Sequence, residues 1–424
     1  MVFMLMTSPS DRSPATLIKN ARSALASGQL ATADFLAQDV LDIEPSNAEA
    51  LTILGSIAVR LKIAPQAVSF LSRARASPHA PPETTALLRS AEELQDAQAK
   101  APRRKGGLLL IKAWGEGFWA DVTHVLGALL LAELSGRTPV TLWGNDSRYN
   151  DGSVPDAFRL YFEPLSEIGP DDLANFAGTD IYPKKWVGSS LFLDNHQKFS
   201  GDGSCLPGLN LLERPEYLTV SDFHVGIPDL YHWIPPAHEL HNQPMKHIFR
   251  YLIEKYLRPS ARVKESLEVL DREIHLSSIE IALHVRGTDK AAEFKNLDLL
   301  PLYFSALEKI YKGGRILLLT EDDRLIPTFQ DRFGDKIVLA RARRQVGGLP
   351  PHYLQGGDRI QLGVEAARDA YAAAAANKFL GNGWSNLSAM AWLLRKSAKK
   401  AYLIGQMGPY ERSPWKFIYR SLPT

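Results

Sequence analysis

This sequence predicts an α/β chain with two Rossmann-like lobes facing a cleft, preceded by an all-α module. Three observations carry the prediction. Short apolar runs of strand character alternate with helical segments on both sides of a long helical stretch, Met245 to Ile274. The first hundred residues are instead rich in Ala and Leu at helical spacing. Between the two regions lies Ala97 to Gly107, AQAKAPRRKGG, a basic linker containing Pro and Gly whose charges are expected to be solvated. A length of 424 residues suits about two or three domains, and the expected bounds are 1–100, 101–250 and 251–424.

Composition narrows the class. A hydrophobic content of 45% and a charged content of 23% are globular values. A net charge of +2 gives no sign of a nucleic-acid binder or a polybasic membrane protein. The single cysteine, Cys205, excludes an intramolecular disulfide framework and a cysteine metal cluster, and it suits a reducing compartment. The start, MVFMLMTSPSD, lacks the positive n-region of a signal peptide. Val125 to Leu134 is about the longest apolar run, short of the roughly 18–20 residues that cross a bilayer. The expected location is cytoplasmic, with no membrane span and no nucleic-acid partner.

In the helical module, Ala33 aligns with Ala67, Ala37 with Leu71 and Val40 with Ala74, an offset of 34 residues. Leu54-Gly55 and Pro45 supply the small residue and the helix breaker that paired helices need. The segment resembles a tetratricopeptide repeat (TPR) array of about two repeats and a capping helix. That resemblance implies a surface for a protein partner or for self-association. A plain helical hairpin cap is the alternative.

The first lobe opens with LLLIKAW (Leu108–Trp114), a buried-strand pattern, followed by Gly115-Glu116-Gly117 and an amphipathic helix to about Leu134. SGRTPVTLWG then reads as a turn and a second strand. Gly115, Gly117 and Ala120 fit the GxGxxG/A dinucleotide fingerprint, but the second strand ends in Trp143-Gly144-Asn145 and not in the acid that binds an adenosine ribose. A nicotinamide enzyme is therefore disfavoured. Gly115 and Gly117 remain candidates for close backbone approach to a phosphate or sugar at a helix N-terminus. From Asn150 to Pro244 the chain reads as loop-rich and aromatic. Most of these rings are expected to pack an irregular layer, with some available to line a saccharide groove.

In the second lobe, strands are predicted at IEIALHV, GRILLLTED, DKIVLAR, NKFLGNG and KAYLIG, with helices between most of them. Polar groups cluster where these strands end. His284, Arg286, Thr288, Asp289, Lys290 and Glu293 follow the first, and Thr320, Glu321 and Asp322 the second. Glu365 and Asp369 share one helix face. Asn382-Gly383-Trp384-Ser385-Asn386 forms a strand-to-helix turn whose N–H groups and hydroxyl suit a helix cap or a diphosphate.

These stretches resemble the α-1,6-fucosyltransferase family, in its eukaryotic core and rhizobial nodulation members, with relatives among the protein O-fucosyltransferases. His284–Lys290, HVRGTDK, is similar to that family's HVRRTDK, and LLLTEDD to its strand ending in Thr-Asp-Asp. The spacing from Asp369 to Ser385 also matches. In the first lobe the likeness runs through Ser135-Gly-Arg-Thr-Pro139, Trp143-Gly-Asn-Asp-Ser-Arg-Tyr149 and Asp156-Ala-Phe…Tyr161-Phe-Glu-Pro164. It covers roughly Gly107 to the end. The family's second arginine is Gly287 here, Glu321 stands where the family has Asp, and Glu293 is one residue closer to Lys290 than the corresponding acid.

The resemblance implies a GT-B fold and an inverting, metal-independent transfer of fucose from GDP-fucose to a glycan or protein acceptor, with no cofactor. It implies that Arg286 binds the β-phosphate, that Ser385 with its turn holds the same diphosphate, and that Asp369 reads guanine. His284 would sit against the nucleotide, with Glu321, Asp322, Trp384 and Asn386 completing the donor site. Glu293, tuned by Lys290, is the candidate base, and Asp289 is the alternative. The competing readings are a transferase for another nucleotide sugar and a TPR interaction scaffold with inactive lobes.

Overall fold

A computed structural model describes residues 13–100, 106–175, 180–186, 188–193, 208–286, 299–342, 344, 358–397 and 400–404. Five helices form the N-terminal module: α1 (Pro14–Ala26), α2 (Leu30–Ile43), α3 (Ala48–Arg60), α4 (Ala64–Arg75) and α5 (Thr84–Lys100). Ser13 and Asn47 cap α1 and α3, accepting the N–H of Thr16 and Ala50. α1 and α3 begin 34 residues apart, as do α2 and α4, so the sequence offset is one between whole helical hairpins. Ala33, Ala37, Val40, Ala67, Leu71 and Ala74 are all wholly buried. Gly55 explains the close helix approach, since a Cβ there would fall 2.4 Å from Leu71 Cγ.

The module is bound tightly to the chain that follows. Trp233, wholly buried, donates its indole N–H to Asp34 Oδ1 at 2.9 Å and meets Phe70 edge-on at 5.1 Å. Gln38 bonds both Asp34 oxygens and the Asp229 carbonyl.

The first α/β lobe comprises β1 (Leu108–Lys112), α6 (Phe118–Ser135), β2 (Thr138–Leu142), the short helices α7 (Phe158–Tyr161) and α8 (Pro170–Asn175), β3 (Ile181–Tyr182), β4 (Leu218–Ser221) and α9 (Ile227–Leu230). All its strands are parallel, in the order β2-β1-β4-β3. The sequence reading of 150–244 as loop missed β3 and β4. α6 is apolar around its whole circumference because it is the lobe's core helix. It is long and apolar enough to cross a membrane, but 78% of it is buried inside the protein. Gly127 lets it lie on the next loop, where a Cβ would fall 2.1 Å from the Val225 carbonyl. Arg137 donates to the carbonyls of Leu108, Arg214, Glu216 and Tyr217. The Asp156 carboxylate takes the Thr141 hydroxyl and the N–H groups of Trp143 and Phe158. These bonds give the SGRTP and Asp156-Ala-Phe motifs a structural role. Tyr149, Tyr161, Phe162 and Trp186 are buried, as the packing reading expects.

α10 (Met245–Tyr256) and α11 (Ala261–Ile274) connect the lobes. The second lobe runs β5 (Ile279–His284), α12 (Leu300–Ile310), β6 (Arg315–Leu319), α13 (Ile326–Phe333), β7 (Ile337–Leu339), α14 (Arg359–Ala375), β8 (Lys378–Asn382), α15 (Asn386–Leu394) and β9 (Ala401–Ile404). Its parallel order, β7-β6-β5-β8-β9, reverses direction between β5 and β8. The first sheet reverses in the same way between β1 and β4, and ligands bind at such points beyond the strands' carboxyl ends. The lobes touch directly. Trp119 Nε1 donates to the Ala366 carbonyl at 2.9 Å, and Gly363 of α14 lies where a Cβ would come 2.5 Å from the Tyr161 ring.

Candidate functional site

Both reversal points face one cavity of about 160 Å³ between the lobes. The second lobe contributes His284 and Arg286 after β5, Thr320 and Glu321 after β6, Glu365 and Asp369 from α14, and Ser385, Asn386 and Leu387 from the start of α15. The first lobe contributes Gly117, Phe118, Trp119 and Ala120 from the start of α6, with Tyr149. The cavity thus meets the N-termini of two helices. Each helix presents first-turn N–H groups outside its own ladder and the positive end of its dipole.

A ring of hydrogen bonds ties β5 to β8 here. His284 Nδ1 lies 2.7 Å from Ser388 Oγ, which accepts the Asn382 N–H at 3.1 Å. Asn382 Nδ2 donates to the Tyr303 hydroxyl at 2.9 Å, and that hydroxyl donates to the His284 carbonyl at 2.8 Å. Gly381 makes room for Ser388, because a Cβ would fall 2.4 Å from its hydroxyl oxygen. Where the Ser388 hydroxyl donates its proton to Nδ1, the ring proton of His284 lies on Nε2. Burial, reinforced by Arg286, pushes the imidazole down to about 3, so it is neutral at ordinary pH.

Arg286 Nε stands 3.8 Å from Glu321 Oε1, an ion pair without a hydrogen bond. Ser385 caps α15, accepting the Ser388 N–H at 3.5 Å. Asp369 receives Arg368 Nε and Nη2, at 2.9 and 2.7 Å, on Oδ1 alone. Its Oδ2 makes no hydrogen bond among the described residues. The Tyr149 hydroxyl accepts the Phe118 N–H at 2.8 Å, fixing the start of α6.

Of the residues the sequence singled out, His284, Arg286, Gly117, Glu321, Asp369, Ser385 and Asn386 come together on this cavity. Three do not line it. Asp322 is instead the cap of a short 3-10 turn, and its carboxylate is gripped by Arg324 Nε and Nη2 at 2.8 and 2.7 Å. Two residues of separation bring that guanidinium onto it, and the pairing holds its carboxyl below the usual range. Gly115 serves the turn: its φ is +85°, and a Cβ would fall 2.9 Å from the Asp146 carbonyl. Trp384 is buried, with its N–H on Asn382 Oδ1. Asp289, Lys290 and Glu293 lie outside the described residues. Among the described residues, no group of three or more His, Cys, Asp or Glu side chains is placed to hold a metal ion.

The sequence reading missed Phe118, Trp119 and Tyr149 as cavity residues, whereas Thr320 was among the polar groups it placed at a strand end. An aromatic pair directly after the glycine turn was the available signal for the first two. Glu365 was legible through its shared helix face with Asp369.

Fold and cleft define a two-lobed α/β protein with an anion-type site at the joint of its sheets. No family model and no curated protein matches the chain. Among solved structures it is similar to the fucosyltransferase NodZ from Bradyrhizobium, at 19% identity and a TM-score of 0.48, covering 70% of this chain and 94% of that one. It is similar to an Arabidopsis thaliana FUT1 variant in complex with GDP, at 13% identity and a TM-score of 0.40, covering 76% and 81%. It is also similar to POFUT1 in complex with GDP, at 12% identity and a TM-score of 0.43, covering 71% and 99%.

Proposed function

We propose that the chain is a glycosyltransferase of GT-B type that takes fucose from GDP-fucose in this cleft and inverts the anomeric centre without a metal. The observation that carries the reading is the meeting of Arg286, neutral His284 and the Ser385 turn with two helix N-termini. Such a set suits a diphosphate that gains charge as it leaves. Arg286 is the fixed cation on the leaving group, offering a planar fork of donors. His284, uncharged, offers its Nε2 proton as a hydrogen bond and adds no charge. Asp369 Oδ2 is the acceptor for guanine N1–H and the exocyclic amine, a pair that uracil and thymine lack.

In this reading residues 251–424 hold the donor and 101–250 present the glycan or protein acceptor. The TPR-like module of 1–100 is a surface for a protein partner or a second copy of the chain. Its location in the cell is the cytoplasm. The identity of the nucleotide is tested by calorimetry. GDP should bind at least tenfold more tightly than UDP, and Asp369→Asn should erase most of that preference. Equal affinities in the unmodified protein would remove Asp369 as the base reader.

A further inference from the structure

We infer that Arg368 is the positioning residue of the base pocket: it engages one carboxylate oxygen of Asp369 and leaves the other as the acceptor for the nucleotide base. The assignment rests on the donor site proposed above and deepens it.

α14 packs through small and apolar residues. Its other buried positions are Gly363, Val364, Ala367, Ala370, Ala372 and Ala373. Arg368 breaks that pattern, since it is only 5% exposed and carries a full charge. A guanidinium leaves water at a large cost unless its N–H groups find partners. Arg368 finds three. Nε and Nη2 donate to Asp369 Oδ1 at 2.9 and 2.7 Å, and Nη1 donates to the Arg341 carbonyl at 2.9 Å. Consecutive residues of a helix point about 100° apart and do not ordinarily meet. Here the Arg341 carbonyl, just beyond β7, anchors one edge of the fork, and the other edge lies against the neighbouring carboxylate.

The consequence lies in the lone pairs. Each carboxylate oxygen has two acceptor sites, and Arg368 fills both on Oδ1. Asp369 lines the cavity, and two acceptor sites remain on its Oδ2. Guanine brings two donors on one edge, N1–H and the exocyclic amine, which matches that number. The terminal torsion of an Asp side chain is broad, so an outside bond is needed to fix which oxygen faces the base. Arg368 supplies that bond. It also ties two walls of the pocket together, because Ala342, next to Arg341, lines the cavity along with Glu365 and Ala366 of α14. A lysine here would keep the charge and lose the planar fork that reaches both partners.

The test measures GDP and UDP binding to the full-length protein by calorimetry, with a melting temperature for each variant. The unmodified protein should prefer GDP at least tenfold. Arg368→Leu should reduce the preference to about threefold or less, by weakening GDP while UDP affinity changes by less than about twofold. A purely structural role would weaken both nucleotides equally and keep the preference, and that result would overturn the assignment. In an Asp369→Asn protein, Arg368→Leu should alter GDP affinity by less than about twofold, because the two residues act as one unit. A loss there as large as in the unmodified protein would overturn it as well. Should Arg368→Leu not fold, Arg368→Lys decides: a folded Arg368→Lys protein with the full GDP preference would equally count against the assignment. Equal affinities for GDP and UDP in the unmodified protein would instead overturn the reading of Asp369 on which this one rests.

Discussion

Acid should weaken the native chain through His284, by an amount that follows from its surroundings. In the folded protein burial and Arg286 hold this imidazole at about 3, against about 6.5 in an unfolded chain. Between those values the unfolded chain binds more protons, so stability falls as pH falls. Each unit costs about 1.4 kcal/mol, and above roughly pH 6.5 the contribution is flat. From pH 8 to pH 5 the loss from this one residue is about 2 kcal/mol. His284→Asn cannot take up the proton, and its amide still reaches Ser388. Urea denaturation of both proteins at pH 8 and pH 5 should therefore show the unmodified protein losing about 2 kcal/mol more than the variant. The histidine ring resonances should show no titration of His284 across the same range. Parallel losses in the two proteins, or a His284 midpoint near the ordinary value, would refute both the burial argument and the role of a neutral hydrogen-bond donor.

Two further outcomes concern the packing that shapes the cleft. Trp233→Ala should destabilise the chain by about 3–5 kcal/mol in denaturant titrations, because it empties the module's docking site and removes one hydrogen bond from buried Asp34. Arg395 donates to the carbonyls of Ala373, Ala374, Ala376 and Asn377 at the end of α14. Arg395→Met should cost about 2–4 kcal/mol by the same measurement and should weaken GDP binding, because α14 carries Asp369.

The second lobe was the more legible in sequence because its strands are buried on both faces and read as unbroken apolar runs between helical segments. Its site was legible for a related reason. Residues that end parallel strands at a reversal of order converge in space, so His284, Arg286 and Ser385 could be grouped before any contact was known. The first lobe hid β3 and β4, of two and four residues, within a long irregular stretch where no periodicity can build up. Asp322 misled because an acid at a strand end serves a turn cap as well as a ligand, and only the position of Arg324 decides between them. Gly115 and Gly117 look alike in sequence. One is required by a positive φ and the other borders open space, a difference that lies in the backbone alone. The docking of Trp233 on Asp34 spans 199 residues and left no local trace.

The fold also accounts for the closeness of the two walls. Trp119 binds the Ala366 carbonyl, and Gly363 admits the Tyr161 ring, so α14 serves at once as a wall of the cavity and as the joint with the first lobe.

The most direct test of the donor site is hydrolysis of GDP-fucose, GDP-mannose, UDP-glucose, UDP-GlcNAc and dTDP-rhamnose by the purified protein and by Arg286→Ala, with EDTA present throughout. The account predicts slow, EDTA-resistant release of GDP from GDP-fucose and its loss in the variant. Turnover of a UDP or dTDP sugar in place of GDP-fucose, or an Arg286→Ala protein as active as the unmodified one, would contradict it.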